Sequence, residues 1–263
     1  MCKVIGIMSL KGGVGKTSVT VALGDAFSDL GQRVLLIDGN LSAPNLGVHL
    51  NVINPEVTLH EVLSRERNVE DAIHSLEKFD IIPSSLFSKK EFNPLNLKNK
   101  LSSLKQSYDI ILIDSPPSLG EEGLATMLAS DEVLVVTTPD YPTLGSTIKA
   151  VKIAKSRGTN ISGLVLNKVL NKDFEISPEE VEKTLDLPIM AKIPHDLDIM
   201  RALAYFTPST SHSPNSDASV EFRKLAAILI GQKYKQFRLR DLFRATPSKT
   251  DINREIFYER IFR

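Results

Sequence analysis

The chain has 263 residues, of which 42% are hydrophobic and 24% charged, values typical of a globular protein with a sizeable core. Its single cysteine, Cys2, excludes an internal disulfide and a thiolate metal site, and no apolar run approaches the ~18 residues of a membrane span. The net charge is 0, but Lys233 to Arg263 carry nine basic and four acidic residues, which leaves −5 for residues 1–232. We therefore expect a cytoplasmic protein with an acidic body and a basic tail.

The first predicted strand, Val4 to Met8, runs into the glycine-rich stretch Ser9 to Ser18 (SLKGGVGKTS), and an apolar helix follows to about Leu30. A glycine-rich turn between a buried strand and a helix is typical of a phosphate-binding loop. Lys16 is placed to reach the terminal phosphates of a nucleotide, and the hydroxyl of Thr17 to bind Mg²⁺. The expected nucleotide contacts in this loop are Gly12, Gly13, Val14, Gly15, Lys16, Thr17 and Ser18.

The loop departs from the generic GxxxxGK[ST] pattern at two positions. Leu10 replaces the first glycine, and a second lysine, Lys11, stands at the front of the loop. KGGVGKT with this leading lysine resembles the deviant Walker A motif of the ParA/MinD family of ATPases, closest to the MinD branch. The resemblance covers residues 3 to about 231. It implies that Lys11 crosses a dimer interface and touches the phosphates bound by the other subunit.

The second predicted strand, Arg33 to Asp38, is almost continuously apolar, as in a parallel sheet covered on both faces. It brings Asp38 to the carboxyl edge, where open α/β sheets bind ligands. The following residues, Gly39 to Leu46, resemble the family's switch I, in which a DxD pair is common. Asn40 replaces the second acid here, and an amide can orient a water molecule but cannot accept its proton. We therefore expect slow hydrolysis; a plain turn residue after a strand is the less favoured interpretation of Asn40.

The middle of the chain is predicted to be scaffold. Thr58 is a candidate N-cap for a short helix over residues 59–63, a second short helix is expected over 69–76, and a short strand over 79–83. The segment contains no polar cluster with an evident chemical role.

A strongly apolar strand from Tyr108 to Ile113 ends in Asp114. A carboxylate at a strand end beside the phosphate loop is suited to hold Mg²⁺ through its water shell. The sequence DSPP from Asp114 to Pro117 also resembles the family's switch II. Together the sequence and the resemblance predict a magnesium site of Thr17, Asp38 and Asp114; a helix-capping role is the alternative for the aspartates.

Two further strands are expected to bring residues to the base of the nucleotide. The strand over residues 161–168 carries Asn167 near its end, where the family often places an asparagine against adenine; capping of the loop is an equal alternative. A final strand, residues 188–193, leads to Pro194-His195-Asp196, which resembles the family's IPxD turn beside the base. Asp196 is also a candidate cap for the next helix.

Residues 233–263 form a predicted extension to the ATPase domain of residues 1–232. Six aromatic residues are interleaved there with Lys and Arg, and Thr246-Pro247-Ser248 predicts a break into two pieces. Several members of the MinD branch end in a short basic amphipathic helix that lies on the membrane, a role that this composition also suits. Docking onto the body or a partner, and contact with nucleic acid, are the alternatives.

These features predict a single doubly wound, mostly parallel α/β sheet with helices on both faces, as in a P-loop NTPase. The family resemblance implies slow, partner-stimulated ATP hydrolysis with Mg²⁺ by a homodimer that cycles between ADP and ATP states. The predicted catalytic residues are Lys11, Lys16, Asp38 and Asn40. Three uses compete: positioning of a protein activator or cargo at the inner face of the membrane, DNA partitioning, and nucleotide-dependent docking with vestigial hydrolysis. The acidic body makes DNA the less favoured partner.

Overall fold

The computed structural model describes residues 2–88, 90–234 and 247–262. Within these ranges the chain forms one eight-stranded sheet and eleven α-helices. The strands are β1 (Lys3–Met8), β2 (Val34–Asp38), β3 (His74–Ser75), β4 (Asp80–Ile82), β5 (Ile110–Asp114), β6 (Glu132–Thr137), β7 (Ile161–Val169) and β8 (Ile189–Pro194). The helices are α1 (Lys16–Asp29), α2 (Leu46–His49), α3 (Leu59–Leu63), α4 (Leu97–Lys100), α5 (Glu121–Ala129), α6 (Tyr141–Ser156), α7 (Pro178–Leu185), α8 (Leu197–Ala204), α9 (Ser209–His212), α10 (Asp217–Leu229) and α11 (Lys249–Phe262).

The sheet has the strand order β3-β4-β2-β5-β1-β6-β7-β8, and every pair is parallel except β3 with β4. Parallel strands end at one edge, so β1, β2 and β5 deliver their last residues side by side. The register pairs Asp38 with Asp114 and Ile7 with Asp114. The phosphate loop that follows β1 therefore starts beside both aspartates.

Helices cover both faces of the sheet. In β1, Ile5 and Ile7 face a layer that contains α1 and α10, whereas Val4 and Met8 face the opposite side, with α3 and α4 near Val4 and α6 and α7 near Met8. Because both faces are buried, the central strands carry almost no polar residue before their carboxyl ends. The doubly wound fold predicted from the sequence is confirmed.

The prediction of a helix over residues 69–76 is wrong. Only Glu70–Ala72 forms a turn of 3₁₀ helix, and β3 then pairs antiparallel with β4. The amide of Leu76 donates to the carbonyl of Phe79 at 3.0 Å and closes this ribbon. Pairing with a neighbouring strand satisfies the backbone groups of His74 and Ser75, and this tertiary contact overrides the local apolar spacing.

The second piece of the tail, α11, packs against β8 and α10. Arg254 is only 6% exposed; its Nε donates to the Met190 carbonyl at 2.7 Å, and its Nη2 contacts Glu221 at 2.6 Å. Phe257 packs against the adjoining core. Docking onto the body is therefore the outcome for this piece. The first piece, residues 235–246, lies outside the described residues, and the domain boundary after residue 232 stays a prediction.

Candidate nucleotide-binding site

A cavity of about 420 Å³ opens at the carboxyl edge of the sheet, between the phosphate loop and α8. Ten residues that the sequence predicts for the site line it: Gly12, Gly13, Gly15, Lys16, Thr17, Ser18, Asn40, Asn167, Pro194 and Asp196. Four other predicted residues, Lys11, Val14, Asp38 and Asp114, do not contribute to this lining. The tertiary structure thus brings most, but not all, of the predicted residues to one cavity.

The phosphate loop has the backbone of an anion-binding turn. Gly13 and Gly15 have φ values of 78° and 93°, which residues with a Cβ rarely adopt. Gly15 is the N-cap of α1, so the free amides of the first helical turn lie beside the cavity. The side chain of Val14 is instead buried in the core at 2% exposure. Any contact of Val14 with a phosphate must therefore come from its backbone.

Lys16 lies in the cavity wall with 8% of its surface exposed. Burial lowers the pKa of its ammonium, an effect that the nearby Asp114 opposes. Because little water surrounds this ammonium, its attraction for a phosphate is less screened than at an open surface.

Thr17 lines the cavity next to Lys16, and Asp114 lies directly behind Thr17. The Thr17 hydroxyl donates to Asp114 Oδ2 at 2.6 Å. Burial raises the pKa of Asp114 to about 6, although the Thr17 hydrogen bond and Lys16 lower it. Within the described part of the chain, Asp114 Oδ1 is buried without a hydrogen-bond partner. An unsatisfied carboxylate oxygen beside a threonine hydroxyl fits Mg²⁺, which binds oxygen ligands and keeps much of its water shell.

Asp38 is fully buried and organises the segment that follows β2. Its carboxylate accepts hydrogen bonds from the amides of Asn40, Asn45 and Leu46 at 3.2, 3.0 and 2.9 Å. Burial, followed by the charge of Asp114, raises the pKa of Asp38 to about 8 despite these hydrogen bonds. Asp38 thus shapes the loop that carries Asn40, and Asn40 lines the cavity.

Lys11 lies on the other side of the phosphate loop from Lys16. It lines a second cavity of about 390 Å³, which also includes Thr138 and Phe174. Its Nζ lies 3.8 Å from Asp140 Oδ1, and both side chains are more than 40% exposed. Such an open ion pair is weak, so Lys11 is held only loosely within its own chain.

Asn167 and Asp196 both have structural partners. The Asn167 amide donates to the Val14 carbonyl at 2.7 Å, and Asp196 accepts from the amide of Asp198 at 2.9 Å as the N-cap of α8. The structure therefore contains the loop contact of Asn167 and the capping contact of Asp196. Both residues also line the cavity, so a role beside the base stays a prediction.

The predicted site omitted five polar residues that line the cavity and the whole of an apolar wall. The polar residues are Asn45, His49, Ser115, Lys168 and His195. Lys168 lines the cavity and donates to the Gly13 carbonyl at 2.6 Å. Its position directly after Asn167 is a signal that could have found it. The wall consists of Ile199, Met200 and Leu203 from α8 and Phe222 from α10. No local pattern marks Phe222, because only the packing of α10 brings it there.

The sequence also matches known proteins. A family model described as an AAA domain matches residues 2–162, and one described as a NUBPL iron-transfer P-loop NTPase matches residues 102–230. The septum site-determining protein MinD of Thermotoga maritima is 31% identical over 244 residues, which cover 88% of this chain and 89% of that protein. The chain belongs to the ParA/MinD family of P-loop ATPases.

Solved structures of the ParA/MinD family share the fold. The cell division ATPase MinD of Pyrococcus furiosus matches with a TM-score of 0.82 and 38% identity over 86% of this chain and 97% of its own. MinD of Pyrococcus horikoshii, solved with Mg-ADP, matches with a TM-score of 0.83 and 34% identity, over 87% of this chain and 96% of its own. The predicted membership of the ParA/MinD family, close to MinD, is confirmed. Across the described ranges, no helix has both the length and the apolar character needed to cross a membrane.

Proposed function

We propose that this protein is a Mg²⁺-dependent ATPase that dimerises with ATP and cycles between ADP and ATP states to recruit or position a partner protein. The observation that carries the proposal is the group formed by the buried Lys16 and Asp114 and the half-buried Thr17 beside a nucleotide-sized cavity, with Lys11 on the outer side of the same loop. The Mg-ADP bound to the related P. horikoshii MinD supports the choice of ligand.

Each residue of the site has a proposed role. Bound Mg²⁺ would neutralise negative charge on the phosphates. Thr17 would hold the ion directly, with Asp38 and Asp114 in its outer shell. Lys16 and the loop amides bind the phosphates, while Asn167, Pro194 and Asp196 lie against the base. Asn40 orients the attacking water but cannot take its proton, so we expect slow turnover that a partner stimulates.

Lys11 is the proposed link between the two subunits. Its exposed pairing with Asp140 costs little to break, so the side chain is free to reach a phosphate bound by a second copy. Phosphoryl transfer depends mainly on positioning and charge neutralisation, so delivery of a lysine on dimerisation would switch the site on.

The C-terminal residues 233–263 support a proposal for where the protein acts in the cell. The basic and aromatic composition of residues 233–263 supports peripheral contact of a cytoplasmic protein with the inner face of the membrane. Since α11 is docked onto the body, residues 235–246 are the better candidate for such contact.

The test compares Lys11→Ala, Lys16→Ala and the control Lys172→Ala, an exposed lysine outside the nucleotide cavity. The parent and Lys172→Ala should bind Mg-ATP, dimerise with it and hydrolyse it. Lys16→Ala should lose at least about tenfold in nucleotide affinity, because a buried charge-assisted contact is removed. Lys11→Ala should bind nucleotide normally but stay monomeric and hydrolyse it more slowly. Calorimetry, light scattering and single-turnover assays measure these three properties.

The cross-subunit role would be wrong if Lys11→Ala dimerised with ATP and hydrolysed it like the parent. The nucleotide site itself would be wrong if Lys16→Ala bound Mg-ATP as tightly as the parent.

A further inference from the structure

Two consecutive side chains at the end of β7 hold two consecutive carbonyls of the phosphate loop. Asn167 Nδ2 donates to the Val14 carbonyl at 2.7 Å, and Lys168 Nζ donates to the Gly13 carbonyl at 2.6 Å. Neighbouring side chains in a regular strand point to opposite faces and could not both reach one loop. Lys168 has a φ of 58°, in the left-handed region, and the β7–β8 register shifts there. This local break lets both side chains reach the loop.

Holding a carbonyl also sets the direction of an amide. In a trans peptide the C=O and N–H groups point in opposite directions. Because the Gly13 carbonyl points toward Lys168, the Val14 N–H points away from Lys168. The Val14 carbonyl points toward Asn167, so the Gly15 N–H likewise points away from Asn167. These amides belong to the loop that is proposed to bind phosphate, where a carbonyl turned inward would repel the anion.

A purely structural role does not account well for Lys168. Its side chain is exposed, and a hydrogen bond at a surface adds little to folding stability because water can replace it. Yet it lines both the nucleotide cavity and the cavity that contains Lys11. The position of Lys168 therefore indicates a role in the phosphate loop, not in the stability of the core.

We propose that Lys168 is a positioning residue of the nucleotide site, which holds the Gly13 carbonyl so that the Val14 N–H is presented to phosphate. The inference rests on the proposed function and adds a third lysine to the phosphate loop. Lys16 contacts phosphate in the same subunit, Lys11 in the partner, and Lys168 acts through the backbone.

The test uses the full chain with Lys168→Asn, Lys168→Arg and the control Lys172→Asn. Asparagine tolerates the left-handed backbone but is too short to reach Gly13, whereas arginine restores a charged donor. Affinities for Mg-ADP and for pyrophosphate with Mg²⁺ are measured by calorimetry at 0.1 and 0.5 M NaCl. Lys168→Asn should weaken both probes about tenfold at both salt concentrations. Lys168→Arg should stay within about threefold of the parent, and Lys172→Asn should match it.

Several results would overturn the inference. Loss of ADP affinity without loss of pyrophosphate affinity would place Lys168 against the base or ribose, and a deficit that disappears at 0.5 M NaCl would show action by charge alone. A Lys168→Asn variant that binds both probes like the parent would overturn this inference but leave the proposed function intact. A parent that binds neither probe would overturn both. Lys168→Met replaces the asparagine variant if thermal unfolding shows that the latter does not fold.

Discussion

Asp38 and Asp114 lie opposite each other at the ends of neighbouring strands, where burial and then the charge of Asp114 oppose the ionisation of Asp38. The pKa of Asp38 rises to about 8, and burial raises the pKa of Asp114 to about 6. In the nucleotide-free protein, Asp38 therefore keeps its proton near neutral pH. A cation at this place would favour the ionised carboxylates, so metal binding should release protons.

Asp38 should make the stability of the nucleotide-free protein depend on pH. Its pKa is about 8 in the folded state against 3.8 as the ordinary value, so the folded chain keeps a proton that the unfolded chain has released. The stabilisation is complete below pH 3.8 and is lost as the pH rises to about 8, at up to about 1.4 kcal/mol per pH unit. Asp38→Asn cannot titrate and should flatten this slope in urea unfolding between pH 5 and 9.

The matched control for that experiment is Asp173→Asn, which removes an exposed carboxylate that lines neither cavity beside the phosphate loop. It should keep the slope of the parent. Equal slopes for the parent and Asp38→Asn would show that Asp38 does not hold a proton in the folded state.

At the scale of elements, α11 covers β8, the edge strand of the sheet. Edge strands expose unpaired backbone groups that invite association with other chains. Asn253 donates to the Ile189 carbonyl at 3.0 Å and Arg254 to the Met190 carbonyl at 2.7 Å, so side chains of α11 occupy these groups. The tail thus has a structural role at the edge that its composition alone does not suggest.

Arg254→Met should destabilise the protein by about 2 kcal/mol, because the Met190 carbonyl loses its Arg254 donor and the Glu221 carboxylate keeps only its ion pair with Lys224. Urea unfolding measures the loss, and hydrogen exchange should show faster exchange in α11. Arg260→Met, an exposed position on the same helix, should have little effect. If Arg254→Met had the same free energy of unfolding as the parent, the contacts of Arg254 with Met190 and Glu221 would not be what holds α11 in place.

At the scale of the whole molecule, the charge distribution bears on the choice of partner. The charge of +5 on residues 233–263 is balanced by −5 on residues 1–232. Binding to duplex DNA gains much of its free energy from neutralised phosphates, so an acidic body is unfavourable for it.

We expect no binding to duplex DNA tighter than roughly 100 μM at physiological salt, with either Mg-ATP or Mg-ADP. Fluorescence anisotropy of a labelled duplex at 50 and 200 mM NaCl measures this. Micromolar binding that requires ATP and weakens steeply with salt would instead favour the DNA-partitioning use. The ADP sample is the control for binding that is independent of the nucleotide state.

Predictions from sequence succeeded where the signal is continuous along the chain. The phosphate loop lies between a strand and a helix that follow one another in the sequence. Each aspartate is the last residue of an apolar strand, so its position at the carboxyl edge of the sheet can be predicted. The helix expected over 69–76 failed because β3 pairs with β4, a contact that local spacing does not encode. Asn167 illustrates the intermediate case: its strand was predicted, but its bond to the Val14 carbonyl, 153 residues away, was only one of two open alternatives.

By itself, the sequence determined the family, the sheet and the phosphate loop, because these depend on residue types that are adjacent in the chain. Only the tertiary structure decided that Thr17 meets Asp114, that Lys168 holds Gly13, and that Phe222 lines the cavity. It also decided that α11 covers the edge strand. Those contacts join segments far apart in sequence, and they exist because the strand order places β1 beside β5 and the packing of the helices closes the space around the loop.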